Sequence, residues 1–80
     1  MKSIEATAAT NHPGVGMLAG WSVDGTGIIR LREGAVGGEI VAIIDADIQP
    51  SVIFPRSISA PGGIFVQVVG TMTNGVLYYD

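Results

Sequence analysis

The stretch from Gly27 to Asp45, GIIRLREGAVGGEIVAIID, constrains this chain more than any other, because it sets two apolar-rich runs on either side of a glycine-rich connector. It reads as a β-hairpin. In the first run Ile29 and Leu31 alternate with Ile28, Arg30 and Arg32, the period-two pattern of a strand with one buried face and one charged face. In the second, Ile40, Ala42 and Ile44 alternate with Val41 and Ile43, so both faces are apolar and no side is left for water. Gly34 to Gly38 supply the reversal, since a residue without a Cβ adopts positive φ freely.

A chain of 80 residues makes one domain, and a domain of this size removes only roughly 60% of its extended-chain surface from water. Small domains usually compensate with disulfides, a metal or oligomerisation, and here there is no Cys, a single His and no acidic cluster with ligand spacing. Association is the remaining route. Charged residues make up 14% of the chain, against about 25% in an ordinary globular protein, while the apolar share of 48% is ordinary. Too few charges exist to clothe a free surface. No apolar run approaches the ~18 residues of a membrane span, and MKSIEATAAT lacks a hydrophobic signal segment, so a soluble protein made in a cytoplasm, without a membrane partner, is expected. A net charge of −3, with Lys2, Arg30, Arg32 and Arg56 scattered, argues against a nucleic-acid surface.

Residues 2 to 10 are short and polar enough for an edge strand or an extended arm, which Asn11, His12, Pro13 and Gly14 then break. Residues 1–12 are therefore set apart from a single domain over 13–80. From 15 to 24, Met17, Ala19, Trp21 and Val23 share one side of a strand, with Trp21 as the largest core filler, and Asp24-Gly25-Thr26-Gly27 reads as a turn into the hairpin. Pro50 and Pro55 confine any strand at 51–54 to a sheet edge, residues 56–60 add a brief one, and Pro61-Gly62-Gly63 turns the chain. Ile64, Val66 and Val68 alternate with Phe65, Gln67 and Val69, and Asn74-Gly75 is a strong hairpin signal leading into Val76–Tyr79. No stretch has helical periodicity with caps. The expectation is an all-β fold, a small antiparallel β-sandwich, jelly-roll-like, of about seven or eight short strands.

Several pieces resemble a pattern of small tailed-bacteriophage virion proteins: Arg32-Glu33-Gly34 closing a strand, Gly38 with Ile40 and Val41, Gly63-Ile64-Phe65-Val66, and the terminal Val76-Leu77-Tyr78-Tyr79. The similarity spans roughly residues 15 to 80 and consists of turn glycines and core aliphatics. It implies a virion structural protein, such as a capsid decoration (cement) protein or another head- or tail-associated component, located in the virion and partnered by the major capsid protein or another virion protein.

No catalytic constellation stands out. His12, before Pro13, reads as a solvent-facing loop residue. Asp45 and Asp47, with Asp24, are conceivable ligands for a hard cation, but read better as charges at a strand end, and no metal or cofactor is expected. Ser22, Ser51, Ser57 and Ser59 lack a nucleophile-elbow sequence, and the glycine pairs do not open helices. Trp21, Tyr78 and Tyr79 could form a sugar-stacking platform, which would make the chain a carbohydrate- or receptor-binding module of a tail or head fibre; the apolar phase of Trp21 favours the core instead. Strand parity in the last hairpin, with Ile64, Val66, Val68, Val76 and Tyr78 inward, sends Phe65, Val69, Leu77 and Tyr79 outward. Together with Val41 and Ile43 these form the expected interface, through which the chain is expected to make a homo-oligomer, a trimer being favoured by analogy with shell proteins at three-fold positions.

Overall fold

The computed structural model of the protein describes all 80 residues and is all-β, with six strands in one antiparallel sheet: β1 (Lys2–Glu5), β2 (Thr10–His12), β3 (Met17–Glu33), β4 (Ile40–Asp45), β5 (Ser51–Ser59) and β6 (Ile64–Tyr79). Strands β3 and β6 pair with each other from Leu18 opposite Tyr79 to Glu33 opposite Ile64. Each therefore serves two neighbourhoods. The first half of β3 also pairs with β5 and its second half with β4, while β6 takes β2 along its first turn of sequence and β1 along its last. The result is two four-stranded ends, β5-β3-β6-β1 and β4-β3-β6-β2, that share their two central strands.

A straight strand of 17 residues would run roughly 55 Å at about 3.3 Å per residue, yet the longest dimension of the molecule is 28 Å. The sheet must fold across its middle. It does so where Gly27 lies opposite Gly70, with φ of 109° and 119°, beside Gly25 at 144°. A Cβ at Gly27 would stand 2.1 Å from the Val69 carbonyl oxygen, so only glycine lets the backbones approach here. Folding brings the inner faces of both ends onto one core: Leu18, Trp21, Val23 and Leu77 from one end meet Ile29, Leu31, Ile44, Ile64 and Val66 from the other, with Met72 between them.

The two turns expected at Asp24–Gly27 and Asn74-Gly75 are therefore not turns. They are the bend itself, lying side by side in the sheet with Asp24 opposite Asn74 and Gly25 opposite Met72. Glycines that permit a reversal permit a fold in a continuing strand equally well, and pairing between the two long strands decides the outcome. Each long strand absorbs two of the expected short ones, which is why there are fewer strands than expected and a single sheet in place of separate ones.

Elsewhere local chemistry prevails. The hairpin Gly27–Asp45 forms as expected, with Gly34 at φ 80° and Glu33 N–H bonded to the Glu39 carbonyl at 2.8 Å. Pro61-Gly62-Gly63 turns the chain, and Pro55 sits in β5, an edge strand bonded only to β3. Residues 1–12 form edge strands of the chain's own sheet: β1 lies along Val76–Tyr79, β2 along Ile64–Val66, and Ala6 between them is buried and donates to the Gly75 carbonyl. His12 is no free loop residue. It closes β2 opposite Ile64, and its Nε2 is enclosed without a hydrogen-bond partner.

Candidate interaction surface

Registers define the outer face of the β4-β3-β6-β2 end row by row. Asp45, Ile28 and Val69 stand side by side; the next row holds Ile43, Arg30 and Gln67; the next Ile40, Arg32 and Phe65. Ile43, Val69 and Ile40 are 54%, 49% and 40% exposed, a concentration of free aliphatic surface that the sheet alone does not cover. Two guanidinium groups sit within it. Arg32 is held: its Nε donates to Gln67 Oε1 at 3.0 Å and its Nη1 to the Gly38 carbonyl at 3.0 Å. Arg30 makes neither kind of bond within the chain and stands half-buried between Ile43 and Gln67.

Three of the residues expected at an interface lie together on this face. Ile43, Val69 and the half-buried Phe65 share this face. Val41 does not, because the register shifts by one residue between Leu31 and Arg32, so that Val41 is the extra residue of a bulge and packs against the core. That same shift carries Ile40 to the outer face beside Arg32. Leu77 is fully enclosed and Tyr79 packs against the core, its ring under Lys2 Nζ at 5.9 Å. Their orientation reverses the expected parity. Asp24 opposes Asn74 while Gly25 opposes Met72, which leaves Thr73 without a counterpart, and one unpaired residue flips every side chain after it. Val76 and Tyr78 take the outward places.

Trp21 is a core residue, 4% exposed, with its Nε1 donating to the Gln49 carbonyl at 3.1 Å and Phe54 edge-on at 5.2 Å. It offers no stacking platform to a sugar. Asp45 is engaged locally, its Oδ1 accepting from the Asp47 amide at 3.0 Å in an Asx turn, and no three His, Cys, Asp or Glu side chains converge. A shallow polar depression of about 200 Å³ lies at the bend between Glu5, Thr7 and Asn74, below the ~300 Å³ at which ligand pockets begin. Its one carboxylate already accepts from Thr7 Oγ1 at 3.0 Å. Missed in the sequence were Ile28 and Ile40, for which the signal was the alternation about Arg30 and Arg32 together with the bulge that phase alone does not show.

No family model matches the chain, and no curated protein or solved structure does either.

Proposed function

We propose that the chain is a non-enzymatic structural protein of a bacteriophage virion, a capsid decoration or cement protein that binds the shell as an oligomer and stabilises it. The observation that carries this reading is the outer face of the β4-β3-β6-β2 end, where Ile40, Ile43 and Val69 stand free around an arginine that has no partner in its own chain. Rigid aliphatic patches with an embedded guanidinium suit contact with another folded protein: the apolar groups gain by leaving water, and the arginine selects a surface that presents carboxylates or carbonyls. The resemblance in Arg32-Glu33-Gly34 and in Val76–Tyr79 supplies the phage context, and the major capsid protein is the partner that context suggests.

Copy number in purified particles tests the proposal. Hundreds of copies per particle are expected for a protein that covers a shell; a few to a few tens would move it to a tail or fibre, and absence from particles would end the virion reading.

A further inference from the structure

We infer that the outer edge of β4 pairs with β4 of a second copy, antiparallel about a two-fold axis near Ile43, joining the sheets of two chains. This rests on the foregoing reading only in that copies associate, and it names the strand through which they do.

Four strand edges of the sheet are free, on β1, β2, β4 and β5, and three of them carry devices that discourage pairing. β5 contains Pro55 followed by Arg56, β1 is four residues long with Lys2 and Glu5, and β2 is three residues long and runs into Pro13. β4, Ile-Val-Ala-Ile-Ile-Asp, has no proline and no charge before its last residue. Its edge is unguarded.

The polar groups on that edge can be assigned. Ala46 N–H donates to the Gly27 carbonyl at 3.1 Å, and in an antiparallel ladder alternate residues turn both backbone groups toward the same neighbour, so Ile44 and Ala42 bond β3. Ile43 turns its N–H and C=O away from the sheet, and so does the Asp45 N–H, the Asp45 carbonyl being taken by Ile48 and Gln49 in the following turn. A two-fold axis at Ile43 lets the N–H and C=O of one copy bond the C=O and N–H of the other, and sets the two exposed Ile43 side chains against each other on the outer face. The charges do not oppose this pairing. From strand spacing and rise, each Asp45 then stands about 12 Å from the other copy's Arg30 and about 14 Å from its Asp45, so signs alternate around the axis. The pairing is two-fold and makes dimers, in place of the trimer that analogy with shell proteins suggests.

The isolated full-length chain is the sample. Sedimentation at micromolar concentration is expected to give a dimer, and exchange of the Ile43 amide is expected to slow at least about tenfold as the chain is concentrated from monomer to dimer. Ile43→Lys, at a side chain that its own fold leaves exposed, should give a folded monomer, while Val69→Lys, on the same face but away from the edge, should remain dimeric. A monomeric or trimeric wild type overturns the inference, a monomer leaving the edge for a strand of some other protein. So does an Ile43 amide that exchanges at one rate at all concentrations, or dissociation by Val69→Lys with Ile43→Lys still dimeric. Particle copy number is independent of all these readouts, so the virion reading and the edge contact fail separately.

Discussion

The two ends of the folded sheet are built from the same pair of strands and share one core, yet their outer faces differ in kind. At the β5-β3-β6-β1 end the outward rows are Ser51, Ser22, Val76 and Glu5, then Ile53, Gly20, Tyr78 and Ser3, in which small and polar groups predominate. At the other end the rows hold Ile28, Ile40, Ile43, Phe65 and Val69 around two arginines. Inner faces answer to a common packing problem and so look alike; outer faces answer to what lies outside the chain. Exposed apolar side chains gather in adjoining rows at one end, whereas at the other Ile53, 53% exposed, and Met17, 40% exposed, stand among small and polar neighbours.

The severest way to break the comparison is to remove the fold that separates the ends. Gly27→Val places a Cβ within 2.1 Å of the Val69 carbonyl oxygen at a φ of 109°, which a β-branched side chain does not tolerate. A loss of more than about 4 kcal/mol is expected, which most small domains cannot absorb, and chemical denaturation should find the variant largely unfolded. Near-native stability would mean that the two strands can continue past each other without this bend.

Next in size are core truncations, which ask whether the ends are thermodynamically one unit. Leu31→Ala at one end and Leu77→Ala at the other each remove a fully buried side chain from the common core and should each cost about 2–5 kcal/mol. Trp21 reports from the end that contains Leu77. Its fluorescence transition should shift in Leu31→Ala as far as the backbone circular dichroism does, and a shift in one probe alone would show that the ends melt separately.

Outer-face charges sharpen the contrast at small cost to the fold. Val69→Lys and Ile53→Lys both alter half-exposed side chains and should change stability by no more than about 0.5 kcal/mol. Binding to particles that lack the protein should fall at least tenfold for Val69→Lys and stay unchanged for Ile53→Lys, on the order of 1.4 kcal/mol between them. Equal loss in both would spread the contact over both ends.

What the sequence revealed of this plan depended on how local the deciding interaction was. The hairpin around Gly34–Gly38 and the inward set Ile29, Leu31, Ile64 and Val66 follow from alternation and turn residues a few positions apart, and the structure has them as expected. Ile43, Phe65 and Val69 followed from the same alternation. Leu77, Tyr79 and Val41 did not, because one extra residue at Thr73 and another at Val41 shift the phase, and nothing in the neighbouring letters marks where a ladder will skip. Asp24-Gly25-Thr26-Gly27 and Asn74-Gly75 carry the composition of turns; that they stack as one bend depends on strands more than forty positions apart in sequence choosing each other.

The smallest effect belongs to His12, at the far edge of the apolar end. Its Nε2 is enclosed beside the Ile64 row without a hydrogen-bond partner, whereas in the unfolded chain water satisfies it. Leaving such a group unpaired costs the folded state the desolvation of that atom, on the order of 1 kcal/mol or more, with no bond to offset it. His12→Phe keeps a planar ring on the short β2 and removes the nitrogen. The variant should therefore gain up to about 1 kcal/mol, read as a higher denaturant midpoint at unchanged slope. A lower midpoint would show that the ring nitrogen is satisfied after all, by water reaching it along the edge of β2, and that the hold of residues 10–12 on β6 depends on that bond.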